Sequence, residues 1–300
     1  MKIIAEDLKT KFGKQILIDE KLSNYSWFNL GGPADVFFKP DSKEDIIFFL
    51  EKVKPQKFTI IGAGSNTLIR DGGIKGITIK LSSAFSYTKL DSENIIEVGA
   101  ATLDKKVADF AMKNSLTGLE FLACIPGSIG GAVRMNTGCY GNDISQILHS
   151  IKVIDSQGKP KEILAKYIKF FYRSTNLEEN LLITSVKLNG KYCNKQKIDE
   201  KQKKMIEKKK NSQPSQIKTC GSTFKNPKNK KAWQLIKESN CENFKVGNAK
   251  ISEKHCNFFI NSGDATSKDL EELIKKVKDT VYQKTKINLE LEIKIIGSNK

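Results

Sequence analysis

The stretch that decides the fold is Phe58-Thr-Ile-Ile-Gly-Ala-Gly-Ser-Asn66, a short apolar run that stops at a glycine-rich turn. Residues Phe58 to Ile61 have the β-branched character of a strand, and the glycines after them predict a tight turn. Because glycine has no Cβ, the backbone N–H groups of such a turn can approach a phosphate or pyrophosphate closely. The loop departs from the G-x-G-x-x-G pattern and no helical pattern opens after it. Taken alone, it fits a strained structural turn equally well.

A second glycine-rich segment, Pro126-Gly-Ser-Ile-Gly-Gly-Ala-Val133, changes that balance. Its small residues let the backbone pass close to a large flat ligand, while Ser128 and Asn136 can hydrogen-bond the polar edge of that ligand. Two such loops favour a dinucleotide site. Neither is followed about 20 positions later by the acidic residue that marks a nicotinamide ribose site, so a flavin dinucleotide fits better than bound NAD.

Outward from these loops, the pattern is that of a mixed α+β chain. The segment 103–114 has apolar residues at helical spacing and predicts a helix. Short apolar runs predict further strands at 77–81, 94–98, 151–154 and 181–188. The central region is therefore strand-rich with few helices, and a parallel Rossmann winding is not indicated.

The character of the chain changes after Gly190, where a polar, lysine-rich stretch leads to Gln213-Pro214, the best candidate for a domain boundary. Beyond it, we expect a helix near 232–239 and a strand at 257–260. Thr266 or Ser267 is expected to cap a second helix. The apolar stripe of that helix consists of Leu270, Leu273, Ile274, Val277 and Val281. The final run, 289–295, alternates apolar and charged residues and predicts a strand.

The positive net charge suggests a nucleic-acid partner, but the kind and the distribution of the basic residues argue against one. The 300-residue chain has a formal net charge of +17. Its lysines are spread along the whole chain, and the guanidinium groups that read guanine edges are nearly absent. The three arginines, Arg70, Arg134 and Arg173, all lie in glycine-rich or aromatic motifs, which suggests phosphate or carboxylate binding there. We favour a solvated lysine surface, densest at 201–210, that also attracts anionic ligands.

Cysteine and histidine usage indicates a reducing compartment and no metal site. The six cysteines include no C-x-x-C pair, so we expect six free thiols, and two histidines are too few for a zinc site. The N-terminus lacks the apolar run of a signal peptide, and no stretch approaches the ~18 apolar residues of a membrane helix. The sequence therefore predicts a cytoplasmic protein without membrane insertion.

Seven segments of the chain, in the same order, resemble the UDP-N-acetylenolpyruvoylglucosamine reductases. They are 29–35, 62–66, 125–131, 135–141, 172–174, 220–227 and 252–258. The resemblance covers nearly the whole chain and is far more specific than either glycine loop. It implies an α+β flavoprotein whose FAD-binding fold is of the vanillyl-alcohol oxidase type. The implied domains are FAD-binding subdomains at 1–75 and 76–200 and a C-terminal α+β domain at 201–300 that binds a UDP-sugar, with its last strand returning toward the active site.

The resemblance also implies a reaction and three catalytic residues. In that reaction NADPH reduces FAD, and the enolpyruvyl ether of UDP-N-acetylglucosamine becomes the lactyl ether of UDP-N-acetylmuramate, a peptidoglycan precursor. Arg173 corresponds to the family arginine that stabilises the developing oxyanion. Ser222 corresponds to the proton donor, and Glu292 to the final acid, which could orient the guanidinium. Without the resemblance, Ser222 reads as a turn residue and Glu292 as an exposed residue on an amphipathic strand.

The remaining site residues are assigned to cofactor or substrate. We expect NADPH as the reducing co-substrate, a monomeric protein, and FAD bound non-covalently, because neither His149 nor His255 lies in a glycine loop. His255 is expected to be structural or ligand-orienting. The candidates for FAD contact are Gly62, Gly64, Ser65, Asn66, Pro126, Gly127, Ser128, Gly130, Gly131, Asn136 and Gly138. The candidates for substrate contact are Tyr172, Lys225 and Asn226.

Three positions depart from the family pattern. Tyr25 stands where threonine is usual, Leu291 where proline is common and Lys294 where arginine is common. The last two bear on how rigidly the final strand is held. The chain after Arg173 has no room for a long inserted substrate loop, as in the shorter subtype of the family, which lacks an extra tyrosine-bearing segment.

Two alternative functions stay open: an FAD-dependent oxidase of the same fold acting on an alcohol or a sugar, and a basic RNA-binding protein with incidental glycine turns.

Overall fold

The computed structural model describes residues 2–54 and 57–299, and these contain seven α-helices and twenty strands. In chain order the helices are α1 (Lys2–Phe12), α2 (Lys43–Val53), α3 (Asp104–Lys113), α4 (Ile129–Arg134), α5 (Lys195–Ser212), α6 (Ala232–Glu238) and α7 (Ser267–Thr285). The α+β class predicted from the sequence is confirmed.

The strands are mostly short. In chain order they are β1 (Ile16–Lys21), β2 (Pro33–Phe38), β3 (Phe58–Ile60), β4 (Thr67–Ile69), β5 (Ile74–Ile79), β6 (Thr88–Ser92), β7 (Ile95–Gly99), β8 (Leu116–Thr117), β9 (Gly138–Cys139), β10 (Asn142–Asp143), β11 (Leu148–Ile154), β12 (Pro160–Leu164), β13 (Phe170–Phe171), β14 (Ser174–Thr175), β15 (Leu182–Asn189), β16 (Lys191–Tyr192), β17 (Lys245–Val246), β18 (Ala249–Ile251), β19 (Phe259–Asn261) and β20 (Lys294–Ile296).

The described residues fall into two compact units. Unit 1 comprises those within Met1–Ile18, Asp35–Ala63 and Gly76–Lys209. Unit 2 comprises those within Asp19–Ala34, Gly64–Lys75 and Lys210–Lys300. The chain therefore passes between the units several times, so neither unit is a continuous stretch of sequence. The three-part division inferred from the family resemblance stays a prediction.

The larger sheet of unit 1 is antiparallel, with strand order β12-β11-β15-β7-β6. Ile151 faces Val186, and Val186 faces Val98, so one row of fully buried β-branched side chains crosses three strands. Burial of each such side chain is worth roughly 1.5–3 kcal/mol. Helix α4 lies against β7 and β15. This packing fixes the second glycine loop, which leads directly into α4.

A second sheet has the order β1-β2-β5-β3, and its edge pair, β3 and β5, is parallel. Helix α2 supports it: Ser42 caps the helix by accepting a hydrogen bond from the Asp45 N–H, and the ring of Phe49 stacks on Phe38 with centroids 4.0 Å apart. The first glycine loop leaves the end of β3. Its starting point is therefore set by a packed aromatic core.

Unit 2 is built around α7. The helix begins with a capping box between Thr266 and Asp269, as the sequence predicted. The stripe predicted for its inner face is buried, and it packs into a core shared with α6 and the antiparallel sheet β17-β18-β19. A parallel pair, β4 and β20, brings the end of the chain beside the residues that follow the first glycine loop.

One local prediction was wrong, and one helix was not predicted. The run 289–295 is not a continuous strand: only 294–296 pairs as β20, and Leu291 makes an isolated bridge to Phe224. A helix, α4, starts in the second glycine segment, where none was predicted, because its packing against β7 and β15 outweighs the poor helix propensity of its glycines. Within residues 2–54 and 57–299, no helix is both long and apolar enough to cross a bilayer.

Candidate active site

The two glycine-rich segments meet in unit 1. A Cβ placed on Gly62 would lie 2.9 Å from Oγ of Ser128, so a side chain there would force a shift. The carbonyl of Gly62 accepts a hydrogen bond from the ammonium group of Lys80, which follows β5. Burial, with the charge of Lys39 second, lowers the pKa of Lys80. A cationic side chain, which the sequence analysis did not identify, is thus fixed beside the start of the loop.

The first loop continues into unit 2 at Gly64. Its φ of 70° lies in the left-handed region, and a Cβ there would lie 1.9 Å from the carbonyl oxygen of Tyr25, so glycine is required. The N–H of Trp27 donates to the Gly64 carbonyl at 3.0 Å. Ser65 and Asn66, the next two residues, are half-buried.

The second loop is anchored by its backbone. The N–H of Ile129 donates to the carbonyl of Thr102 at 2.9 Å, and the N–H of Gly130 donates to that of Ala100 at 3.0 Å. Ser128, which precedes α4, is only 5% exposed. The partly or fully exposed residues of this loop are Pro126, Gly127, Gly130 and Gly131. Mostly backbone is therefore presented to solvent along this loop.

Asn136 has a positioning role that the sequence did not reveal. Its Nδ2 donates to the carbonyl of Phe171 at 3.1 Å, and its Oδ1 accepts from the N–H of Ser145 at 3.0 Å. The side chain is 4% exposed, so both ends of the amide are engaged within the protein. Asn136 thereby fixes the hairpin β13–β14. Direct contact between this amide and a cofactor stays a prediction.

Arg173 lies in the turn of that hairpin with a φ of 61°. Its Nη2 donates to the carbonyl of Gly138 at 2.8 Å. Its guanidinium carbon lies 4.9 Å from the centroid of the Tyr172 ring, within the range of a cation–π contact. Tyr172 itself is 49% exposed. The guanidinium is thus oriented by a backbone carbonyl and an aromatic face, while Tyr172 is accessible to a ligand.

Cys124 and Cys139 lie on neighbouring segments. Sγ of Cys139 lies 3.5 Å from the carbonyl oxygen of Phe121, in the turn 120–124 that ends at Cys124. The interaction with the Cys139 side chain lowers the pKa of Cys124, burial opposes the shift, and the charge of Lys209 adds to it.

In unit 2, Ser222 and Glu292 lie on adjoining backbone segments. Ser222 forms a bridge with Phe258, and the N–H of Thr223 donates to the carbonyl of Asn257 at 2.7 Å. On the other side, the N–H of Glu292 donates to the carbonyl of Thr223 at 2.8 Å. The segment carrying Ser222 is therefore fixed between two others, one of which carries Glu292.

Asn66 ties the first glycine loop to Glu292. Its Nδ2 donates to the Glu292 carbonyl at 3.1 Å, and its own carbonyl accepts from the N–H of Lys294 at 2.9 Å. Asn66, a residue of the predicted FAD loop, thus contacts the backbone of the segment that carries Glu292, within unit 2.

The two predicted substrate residues of unit 2 have partners of their own. Nζ of Lys225 lies 3.5 Å from a carboxylate oxygen of Glu290, which is exposed and weakens the pair. Oδ1 of Asn226 accepts the N–H of Ala232 at 3.0 Å, at the start of α6. Contact of Lys225 and Asn226 with a substrate stays a prediction.

His255 has the contacts of a packing residue. Its ring lies 4.7 Å from that of Phe258 in an edge-on arrangement, and its Nδ1 accepts the N–H of Asn257 at 3.3 Å. Burial lowers its pKa. These contacts support the structural role expected from the sequence, although the residue's role itself stays a prediction.

The residues present suit a dinucleotide. At Gly62 and Gly64 a Cβ would collide with neighbouring atoms, so these two positions must remain glycine, and the ammonium of Lys80 stands beside Gly62. Glycine positions with a cation nearby allow a diphosphate to approach the backbone closely. In unit 1, Gly62 and the exposed residues of the second loop are the ones that would hold it, and cofactor contacts from Gly64, Ser65 and Asn66 of unit 2 stay predictions.

Comparison with known proteins agrees with this chemistry. Residues 34–163 match the profile of an FAD binding domain, and residues 213–296 match the profile of the UDP-N-acetylenolpyruvoylglucosamine reductase C-terminal domain. The UDP-N-acetylenolpyruvoylglucosamine reductase of Pelagibacter ubique is 44% identical over 95% of this chain and 96% of its own length. That of Gluconobacter oxydans is 42% identical over 91% of this chain and 89% of its own length.

A solved structure agrees as well. The crystal structure of UDP-N-acetylenolpyruvylglucosamine reductase from Thermus caldophilus superposes with a TM-score of 0.82 at 30% identity, covering 94% of this chain and 98% of the other. Sequence similarity of this extent and a shared fold over nearly the full length leave one assignment. The chain belongs to the UDP-N-acetylenolpyruvoylglucosamine reductase family.

Proposed function

We propose that this protein reduces the enolpyruvyl ether of UDP-N-acetylglucosamine to the lactyl ether of UDP-N-acetylmuramate, with FAD as cofactor and NADPH as reducing co-substrate. Family membership supports the reaction. The observation that carries it is the backbone pairing of the Ser222 segment with Glu292, whose carbonyl is held by Asn66 of the first glycine loop. A hydroxyl and a carboxyl group thus lie on adjoining segments of unit 2, beside Asn66 of the first glycine loop.

A bound FAD supplies the hydride carrier between NADPH and the substrate double bond. Addition of hydride to the terminal carbon leaves enolate-like charge next to the substrate carboxylate. We assign Arg173 to stabilise that charge, because its guanidinium is a planar, permanently charged donor that is already oriented by the Gly138 carbonyl. A preorganised donor needs little reorganisation when the charge develops.

We assign Ser222 to deliver the proton that completes the reduction. A serine hydroxyl is a weak acid, but an enolate is basic enough to take its proton when the two are correctly positioned. The bridge to Phe258 and the bonds of Thr223 hold the Ser222 backbone in place from both sides. Glu292, as acid or carboxylate, is assigned to share the charge of the reacting centre.

The remaining assignments concern substrate binding, the division into domains, the cellular location and the oligomeric state. Tyr172 offers an exposed ring, and Lys225 and Asn226 offer an ammonium and an amide NH₂, groups suited to a diphosphate and a uracil edge. We propose these three as substrate contacts, and 1–75, 76–200 and 201–300 as the functional division of the chain. The protein is proposed to act in the cytoplasm as a monomer of the shorter family subtype.

The decisive experiment is an anaerobic two-step assay. The purified, FAD-loaded protein is reduced with NADPH, the enolpyruvyl substrate is added, and the flavin absorbance and the lactyl ether are followed. Return of the oxidised flavin spectrum with stoichiometric product is the expected result. A flavin that stays reduced after substrate is added would overturn the substrate assignment and leave the flavin assignment intact.

Ser222→Ala tests the proton donor. We expect flavin binding and NADPH-driven flavin reduction to be unchanged and product formation to fall by two orders of magnitude or more, roughly the contribution of general acid catalysis. Ser215→Ala, at an exposed serine of the same unit, is the matched control and should retain full turnover. Unchanged product formation by the Ser222 variant would remove this residue from its role.

A further inference from the structure

Asn257 is a buried residue whose amide contacts the segment that carries Ser222. It is 3% exposed. Its Nδ2 donates to the carbonyl of Phe224 at 2.8 Å, and its Oδ1 accepts the N–H of Phe224 at 3.0 Å. Its main-chain carbonyl accepts the N–H of Thr223 at 2.7 Å. One residue therefore makes three hydrogen bonds to the two residues that directly follow Ser222.

The Asn257 side chain takes the place of a missing strand partner. The antiparallel bridge between Ser222 and Phe258 would, if it continued, supply backbone partners for Phe224 as well. A turn at 255–258, closed by a hydrogen bond from the N–H of Phe258, ends that pairing instead. The N–H and the carbonyl of Phe224 are paired by the amide, which offers one donor and one acceptor side by side.

The other contacts of this segment do not replace those of Asn257. On the opposite side, the N–H of Glu292 donates to the carbonyl of Thr223 at 2.8 Å. That bond uses a different backbone group and does not involve Phe224. The hydroxyl of Thr223 is buried and has no hydrogen-bond partner among the residues that the structure describes, so it adds no restraint.

We propose that Asn257 is a positioning residue whose amide fixes the backbone that presents Ser222 for proton transfer. This role rests on the proposed function, in which Ser222 gives its proton to the reduced substrate. A hydroxyl must be aimed at the atom that receives its proton, and misplacement of such a group by about 1 Å costs on the order of 100-fold in rate. Asn257 touches neither substrate nor cofactor in this role and acts only through Ser222.

Asn257→Ala in the FAD-loaded chain tests this role by kinetics. We expect kcat for the enolpyruvyl substrate to fall about 100-fold, while its KM and NADPH-driven flavin reduction stay near the wild-type values. The sharper measurement is a double-mutant cycle with Ser222→Ala. A residue that acts through Ser222 loses its effect once that hydroxyl is gone, so Ser222→Ala should turn over at the same rate with and without Asn257→Ala.

Asn261→Ala is the matched control, at an asparagine of unit 2 that is 4% exposed. The Asn261 amide donates to the carbonyl of Phe28 at 2.9 Å and accepts the N–H of Gly263 at 3.1 Å, so it holds other backbone segments. We expect this control to lower the free energy of unfolding in urea and to leave kcat unchanged. An equal loss of kcat in the Asn257 and Asn261 variants would make the effect one of general stability and would overturn the proposal.

Asn257→Asp keeps the shape of the side chain and provides a second test if the alanine variant fails to fold. Its ionised carboxylate would set an acceptor against the Phe224 carbonyl, whereas the protonated acid donates to that carbonyl as the amide does. Because burial favours the protonated form, we expect kcat near the wild-type value at about pH 6 and a progressive loss toward about pH 9. The wild type, measured over the same range, accounts for the other ionisable groups of this segment and its two neighbours: Lys225, His255, Cys256, Glu290 and Glu292.

Wild-type kcat in Asn257→Ala would overturn the proposal, as would additive losses in the double-mutant cycle or a loss in Asn257→Asp that does not vary with pH. Failure of the proposed function has a different signature, because the wild-type protein itself would then form no lactyl ether. Amide hydrogen exchange tests the contact independently of turnover: the N–H of Phe224 should exchange faster in Asn257→Ala than in the wild type. Equal exchange rates would show that the amide does not hold this segment.

Discussion

Arg173 is held by two contacts within unit 1. Its Nη2 donates to the Gly138 carbonyl at 2.8 Å, and its guanidinium lies over the ring of Tyr172. Lysine would keep the charge but lose the planar fork that spans a carbonyl on one side and a developing oxyanion on the other. The identity of the cation, and not only its charge, should therefore control turnover.

We accordingly expect Arg173→Lys to lower kcat for the enolpyruvyl substrate about 100-fold, within the range found for loss of one oxyanion donor. NADPH-driven flavin reduction, measured separately by stopped flow, should be nearly unaffected. Arg70→Lys is the matched control, because Arg70 forms a bidentate pair with Glu271 in unit 2 that has no proposed role in the reaction. Equal turnover by wild type and Arg173→Lys would show that charge alone is sufficient.

At the scale of elements, α3 begins with a buried acid. The backbone N–H of Asp104 donates to the Gly127 carbonyl at 3.1 Å and so ties the start of the helix to the second glycine loop. Its side chain is fully buried, and neither carboxyl oxygen has a hydrogen-bond partner among residues 2–54 and 57–299. Burial raises the pKa of Asp104 well above its ordinary value.

The sign of the resulting pH dependence is fixed by linkage. The unfolded chain loses the Asp104 proton at its ordinary pKa, whereas the folded protein retains it to higher pH. Stability is therefore fully present below the unfolded pKa and falls as pH rises toward the folded pKa, by at most about 1.4 kcal/mol per pH unit. Asp104→Asn removes this ionisation in both states while nearly preserving shape.

We expect Asp104→Asn to have a higher free energy of unfolding than the wild type at pH 8, with a gap that shrinks toward pH 5. Urea unfolding at both pH values measures it, and Asp41→Asn, at an exposed aspartate of the same unit, should show no such gap. A gap independent of pH would mean that Asp104 does not ionise differently in the folded and unfolded chain.

The elements that sequence patterns predicted well are those whose partners are local. Helix α7 was predicted with its cap and its inner stripe because both are set within its own residues. Helix α4 was missed because Gly130 and Gly131 each cost about 1 kcal/mol in a helix, and only packing on β7 and β15 offsets this. The run 289–295 alternates like a strand, yet the N–H of Glu292 donates to Thr223, Leu291 makes an isolated bridge, and strand pairing begins only at Lys294.

The same distinction holds for the site. Motif residues such as Arg173 and Ser222 could be named from the family resemblance. The bond from Asn66 to the Glu292 carbonyl joins residues 226 positions apart, and the contact between Cys139 and the Phe121 carbonyl depends on how β9 meets the turn 120–124. Such contacts exist only after the chain has folded, so composition and spacing do not reveal them.

At the scale of the whole molecule, the protein carries a net charge of +17, whereas its proposed reactants are strongly anionic. NADPH carries an adenosine phosphate, worth about −1.5 to −2 charges, that NADH lacks. A positive protein field raises the rate of encounter with anions, and salt screens that field over about 10 Å at 0.1 M. The lysines would then promote encounter with substrate, which would account for a basic surface without a nucleic-acid partner.

This reasoning predicts that kcat/KM for NADPH falls several-fold as salt is raised from about 0.02 to 0.5 M, whereas kcat changes little, because screening acts on encounter and not on bound groups. The matched comparison is NADH, whose kcat/KM should fall with a shallower slope since it carries fewer charges. Stopped-flow flavin reduction at several salt concentrations measures both slopes under the same conditions. Equal slopes for the two nucleotides would mean that the lysine surface does not steer the extra phosphate, and the charge would then need another explanation.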